Sequence, residues 1–328
     1  MHVLVTGAAG MIGRKLVDRL ARDGRIGSRP IDQLDLHDIV DPPVPTSTAA
    51  QTHTFASDLA QPGEAEKLVA DRPDVIFHLA AIVSGEAEAD FAKGYRVNLD
   101  GTRQLFEAIR NTGSSHPPRL VFTSSIAAFG APFPDVIDDE FLLAPLTSYG
   151  TQKAIGELLL GDYSRRGFFD GVAIRLPTIC VRPGKPNKAA SGFFSNIIRE
   201  PLNGQEAVLP VPEEMMHWFA SPRAAVGFLI HAAEVDSSRL GDRRSLTMPG
   251  VAATVGDQIA ALRRIAGDKV AGRIRREPDA GIERIIASWP RRFDTRRARE
   301  LGFHADASFE EIIRTHIQDE LGGKFAAD

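Results

Sequence analysis

Seven residues into the chain a short apolar run meets a glycine, and glycines then recur at the spacing GxxGxxG in Thr6-Gly7-Ala8-Ala9-Gly10-Met11-Ile12-Gly13. Residues 3–6 before this loop read as a strand. Residues 11–21 after it carry Ile12, Leu16, Val17 and Leu20 at helical spacing. In such a strand–loop–helix unit Gly7 turns the chain off the strand. Gly10 lets the backbone approach a pyrophosphate, and Gly13 lets the helix pack closely on the sheet. The helix N-terminus, with Met11 and Ile12 in its first turn, offers free N–H groups and a positive dipole end to phosphates. The pattern predicts a dinucleotide cradle.

The alternation continues. Residues 34–40, 52–56, 75–79, 120–124 and 172–176 read as strands, and 97–109 and 149–160 as helices. The run at 75–79 is apolar throughout, as expected of a strand covered on both faces. This predicts an α/β fold, a doubly wound parallel Rossmann-type sheet, over residues 1–176. After Pro177 the texture changes. Pro and Gly cluster at 183–186 and 201–212. Helices are expected at Pro222–Glu234 and 254–266, and a last one is announced by the capping box Ser308-Phe309-Glu310-Glu311. Residues 177–328 are expected to form a smaller, mainly substrate-binding lobe, some segments of which return to the nucleotide domain.

Composition excludes several classes. A net charge of -4 gives no clustered positive field for nucleic acid or an anionic membrane. The longest apolar stretch, residues 75–83, is too short to span a bilayer and contains His78. Cys180 is the single cysteine, so no intrachain disulfide or four-cysteine zinc site can form, and no metal is expected. It lies in an apolar run and reads as a buried small hydrophobe. The N-terminus enters a strand directly, so a cytoplasmic location is expected.

The second strand ends at His37-Asp38-Ile39-Val40-Asp41. A carboxylate here would accept both adenosine ribose hydroxyls and repel a 2′-phosphate. Asp38 is the first choice and Asp41 the second. No arginine follows immediately, which favours NAD over NADP. Asp58 and Leu59, after the third strand, are placed to meet the adenine, and Asp58 also reads as the cap of a helix before Gln61-Pro62.

Tyr149 and Lys153 stand four residues apart, on one face of a helix. A phenol titrates near ~10, and a neighbouring ammonium favours the phenolate. Such a tyrosine can take a proton from a substrate hydroxyl. The fifth strand runs into Thr123-Ser124-Ser125, at the end of the sheet that faces the ligand crevice. Ser125 there can hydrogen-bond the reacting oxygen.

Taken together, TGAAGMIG, His78-Leu79-Ala80-Ala81, Asn98 in YRVNLDGT, FTSSIAAFG, YGTQK, Ala173-Ile174-Arg175-Leu176-Pro177 and FDTRRARELGF resemble the extended short-chain dehydrogenase/reductase family over nearly the whole chain. The resemblance implies that Ser125, Tyr149 and Lys153 are the catalytic trio, with Asn98 supporting cofactor and helix geometry. It implies that Leu79, Ala80, Ala81, Pro177 and Ile179 line the nicotinamide side, and that a homodimer forms through the helices at 97–109 and 149–160.

Nucleotide-sugar members of this family usually carry an arginine before the helix corresponding to Pro222–Glu234, and here that position falls on Met216 or His217. A small acid is the better expectation. Arg182 and Arg223 could clamp its carboxylate, and Ser84 follows the fourth strand where family substrates lie. The segments HLAAIVSGEAEADF, YRVNLDGT, AIRLPTICVRPGKPNKAASGFFSNIIREPL and HWFASPRAA resemble a group within the family that oxidises the four-carbon sugar acid D-erythronate. That resemblance implies oxidation of a C2 hydroxyl to a 2-keto acid in sugar-acid catabolism. The alternatives are a nucleotide-sugar 4-epimerase with tightly held NAD and a non-catalytic NAD sensor. An intact Ser125–Tyr149–Lys153 set speaks against the sensor.

Overall fold

The apolar runs pair side by side as parallel strands. The computed structural model describes residues 1–113, 117–184 and 191–326. Seven strands form one sheet in the spatial order Ser245–Thr247, Asp170–Leu176, Arg119–Ser125, Val75–His78, His2–Thr6, Gln33–Asp38, Gln51–Ala56. Every pairing in it is parallel. The strand order reverses at His2–Thr6, which has Gln33–Asp38 on one side and Val75–His78 on the other. Such a reversal opens a crevice beyond the strand C-termini.

Side-chain alternation puts a core on each face. Val3 and Val5 point to one side, where Leu16, Val17 and Leu20 of helix Met11–Asp23 pack with Phe228 and Leu229 of helix Pro222–Glu234. Leu4, Ile76 and Leu120 point to the other, against Leu105 and Phe106 of helix Gly101–Asn111 and Leu160 of helix Ser148–Arg165. A further core joins helices Gly192–Leu202, Val255–Ala266 and Phe309–Glu320 through Phe194, Ile198, Leu262 and Ile313. The chain after residue 177 thus divides. Pro222–Glu234 covers the large sheet, Ser245–Thr247 extends its edge and Ala298, Leu301 and Phe303 join the core on that face, while helices Gly192–Leu202, Val255–Ala266 and Phe309–Glu320 enclose the separate core.

Three local readings change. The second strand stops at Asp38, because Ile39 and Val40 project beyond the sheet and are exposed. The helix expected at 97–109 is a π-helical turn at Tyr95–Asp100 that continues as Gly101–Asn111, and Asn98 sits buried in that turn. Asp58 caps no helix. Its carboxylate accepts the Ala60 N–H in a turn, and the helix begins only at Glu64. Of the Pro/Gly cluster at 183–186, residues 185 and 186 lie outside the described residues. Among the described residues no helix is long and apolar enough to cross a membrane.

Candidate active site

The glycine loop is tight on one side and open on the other. A Cβ on Gly13 would stand 2.0 Å from the Gly7 carbonyl oxygen, and one on Gly7 would stand 2.7 Å from the Ala80 nitrogen. Gly7 also has φ +78°, a conformation that favours glycine. Gly10 is different: a Cβ there would meet only the Gly7 carbonyl oxygen, at 3.3 Å. Gly10 is the N-cap of Met11–Asp23 and supplies no side-chain partner to the first-turn N–H groups. These donors and the dipole end suit a pyrophosphate. Asp38 stands beside them, accepting the Ala9 N–H at 2.9 Å and the Ile39 N–H at 2.7 Å. Asp41, the second choice, lies exposed three residues past the strand end. Asp58 pairs with Arg96, and that pairing and its other hydrogen bonds hold its carboxyl below the usual range, although burial acts the other way. Leu59 turns its side chain into the core.

Thr147 caps the helix Ser148–Arg165 by accepting the Gly150 N–H at 3.0 Å, which sets Tyr149 in the first turn. One turn on, the buried Lys153 donates from Nζ to the Thr123 carbonyl at 2.7 Å, and its ammonium lies 5.7 Å from the Tyr149 ring centroid. Ser125 ends the neighbouring strand, where its Oγ accepts the Ala127 N–H at 3.1 Å. All three line a cavity of about 490 Å³ at the crevice, together with Met11, Ile12, Leu79, Ala81, Pro177 and Ile179. Burial pushes the Tyr149 phenol up, while the Arg182 charge and a Ser125 hydrogen bond pull it back. Burial pushes the Lys153 ammonium down to about 8, against the opposing charge of Glu157.

The expected substrate contacts part company. Ser84 and Arg182 line the same cavity. Arg182 donates from Nε to the Ile179 carbonyl at 3.0 Å and from Nη2 to Ser191 Oγ at 3.3 Å. Among the described residues it has no carboxylate partner, and burial lowers its pKa. Arg223 is a correction. It lies on the outward face of Pro222–Glu234 and is half exposed, where its guanidinium pairs with Asp319 of the last helix and does not reach the cavity. Asn98 is also placed differently from a direct cofactor contact. It accepts the Ile82 N–H at 2.8 Å and donates to Gln152 at 2.7 Å, tying the loop after the fourth strand to the helix of Tyr149.

Several lining residues were not anticipated from sequence, among them Ser195, Asn196, Arg199 and Trp289. No motif marks them, since they arrive from distant segments. His217, already noted where an arginine was expected, also faces the cavity. Its Nδ1 donates to the Pro290 carbonyl at 3.0 Å, so its Nε2 accepts from Thr178 Oγ1 at 2.6 Å. Burial lowers its pKa to about 4, so the ring is neutral at neutral pH. Cys180 is fully buried with its thiol pushed up to about 12, consistent with a packing role.

The chain is 48% identical over 323 residues to D-erythronate dehydrogenase of Cupriavidus necator, covering 97% of this chain and 98% of that one. It is 41% identical over 321 residues to D-erythronate dehydrogenase of Haemophilus influenzae, covering 98% and 100%. A crystal structure described as a nucleoside-diphosphate-sugar epimerase from Agrobacterium tumefaciens superposes with a TM-score of 0.97 at 64% identity, over 99% of this chain and 95% of that one. Residues 3–218 match the family described as NAD dependent epimerase/dehydratase, and with the glycine cradle, Asp38 and the Tyr149–Lys153 helix in place, the chain belongs to that family.

Proposed function

We propose that this protein catalyses the NAD-dependent oxidation of the C2 hydroxyl of a small sugar acid, D-erythronate, to the 2-keto acid. The observation that carries the reading is Arg182, a guanidinium in the wall of the Tyr149 cavity with no carboxylate of the described residues to neutralise it. An acid substrate supplies the missing charge, and a bidentate arginine–carboxylate pair would hold it in one orientation. The two relatives named for D-erythronate, similar over their full lengths, point the same way.

In this reading the residues from the C-terminal half that face the crevice hold the substrate, together with Ser84. Gly7, Gly10, Met11, Ile12 and Gly13 hold the pyrophosphate and Asp38 the adenosine ribose. NAD, when bound, supplies the hydride acceptor for C2. Ser125 orients the C2 oxygen, and Tyr149 takes the hydroxyl proton as general base. Lys153 holds the nicotinamide ribose, and its positive charge favours the phenolate.

The second reading is a nucleotide-sugar epimerase, favoured by the description of the Agrobacterium structure. It needs a cation for the diphosphate where this chain presents a neutral, hydrogen-bonded His217 and a Met216. Mixing the protein with NAD and, separately, D-erythronate, L-erythronate, D- and L-threonate, L-threonine and a UDP-sugar separates the two. NADH absorbance with a C4 acid supports the dehydrogenase. Silence with every acid, and conversion of the UDP-sugar without net NADH, overturns it.

A further inference from the structure

Behind the cavity, Lys153 is backed by buried charges that the reaction above does not use. Glu157 lies one helical turn beyond Lys153 on the same face and is 4% exposed. Arg175, on the adjoining strand Asp170–Leu176, grips it with Nε at 3.0 and 3.1 Å and Nη2 at 2.7 Å. The Ser124 hydroxyl, next to Ser125, donates to Glu157 Oε1. Asp139 approaches the other side of the guanidinium at 3.5 Å and accepts the Thr247 N–H at 2.8 Å. The Arg175 guanidinium also lies 4.8 Å from the centroid of the Phe129 ring. Two carboxylates thus flank one guanidinium, and Arg297 reaches Asp139 only at 4.0 Å.

We propose that Glu157 is a positioning residue that keeps Lys153 charged, with Arg175 and Ser124 fixing its carboxylate at the back of the catalytic helix. The inference rests on the reading of Lys153 as a working cation of the active site.

The surroundings of Lys153 leave this task to Glu157. The fourth strand contributes His78, which is buried, hydrogen-bonded to Thr6 and Thr102, and neutral because burial lowers its pKa to about 3. The strand Arg119–Ser125 contributes the Thr123 carbonyl, the hydroxyl of Ser124 and the Phe122 ring, whose centroid lies 4.8 Å from the ammonium and which carries no net charge. The π-turn contributes Asn98, an uncharged amide engaged with Ile82 and Gln152. Other carboxylates packed around the helix are committed elsewhere: Glu88 accepts the Ser148 N–H, and Glu107 is held by Arg110 and Tyr163. On the cavity side stand Tyr149 and the cation Arg182. Glu157 is the anion whose field opposes the desolvation of the ammonium.

A purely architectural salt bridge would affect stability and leave the titration of Lys153 where it is. The test is therefore a titration. Amine-selective labelling of Lys153 in the cofactor-free protein, followed by peptide mass spectrometry from pH 6 to 10, reads the fraction of free amine directly. In Glu157→Gln the labelling midpoint is expected to fall by about one pH unit or more, and the alkaline limb of kcat to fall with it. Should that variant not fold, Glu157→Gln/Arg175→Met removes both charges together, an exchange buried ion pairs often tolerate; the midpoint is again expected to fall, by less than in the single variant because the opposing Arg175 cation is gone too. A midpoint that stays in place while the melting temperature drops overturns the proposal. Lys153→Ala serves as the control for the underlying reading: if it retains turnover, the catalytic assignment of Lys153 fails, while labelling still reports on the Glu157–Lys153 pair.

Discussion

Gly150 lies so close to Ala127 that a Cβ on it would stand 2.1 Å from the Ala127 carbonyl oxygen. This contact brings the segment after Ser125 against the first turn of the helix bearing Tyr149. The backbone of Gly150 is also what Thr147 caps. Alanine at 150 forces the two elements apart, and with them the hydroxyl and the phenol that share one substrate oxygen in the proposed reaction. Gly150→Ala is expected to lower kcat by about 100-fold, since misplacement by an ångström carries that penalty. NAD affinity should change little. Steady-state kinetics beside a cofactor titration checks the split.

Asp38 accepts the Ala9 N–H of the glycine loop, and in the proposed function its carboxylate holds the adenosine ribose. Asp38→Ser is expected to weaken NAD binding by about 10-fold, the loss of one or two charge-assisted hydrogen bonds. Binding of NADP should improve relative to NAD, because the repulsion of a 2′-phosphate is removed. Quenching of intrinsic fluorescence by each cofactor measures both constants. Equal affinities of Asp38→Ser and the parent for NAD would reject the assignment.

What the sequence showed plainly was what periodicity and local motifs encode. The loop from Gly7 to Gly13, the continuous strand at 75–79 and the exact span Pro222–Glu234 all follow from spacing within a few residues of chain. The return of Ser245–Thr247 to the sheet edge did not, because three residues beside Asp170–Leu176 carry no period. The misplacement of Arg223 has a similar cause. Sequence puts it one residue past Ser221-Pro222 at a helix start, but which face of that helix turns inward depends on Phe228 and Leu229 meeting the sheet, and Arg223 falls on the opposite side with Asp319. Arg199 and Trp289 reach the cavity only through tertiary packing, so no local signal could have named them.

Arg182 should act twice, on binding and on the base. Its guanidinium would hold the substrate carboxylate, and its charge also favours the Tyr149 phenolate. Arg182→Met is expected to raise KM for the acid by at least about 10-fold, the loss of a charged hydrogen-bonded pair. Removing a cation raises a phenol pKa, so the acid limb of kcat should move to higher pH. Arg182→Lys should restore the limb more fully than it restores KM, because an ammonium supplies charge without the planar fork. A KM unchanged in Arg182→Met would place the substrate carboxylate elsewhere.

Four imidazoles buried among the described residues bear on how the fold responds to acid. Burial lowers His37, and it lowers His78 to about 3 and His217 and His316 to about 4, against the ordinary 6.5. Each must stay neutral in the folded chain and becomes protonated more readily when unfolded. For such a base the stabilisation is complete above pH 6.5 and is lost as pH falls toward the folded value, because the unfolded state then binds more protons. The slope is at most about 1.4 kcal/mol per pH unit for each histidine. The melting temperature should therefore hold from pH 7 to 8 and fall steeply between pH 6 and 4.5. His217 accepts from Thr178 and donates to Pro290, so asparagine can keep part of that bonding without the titration. His217→Asn is expected to be less stable at pH 7.5 yet to show a shallower fall with acid. Scanning fluorimetry across pH on both proteins compares the slopes, and parallel curves would remove His217 from the account.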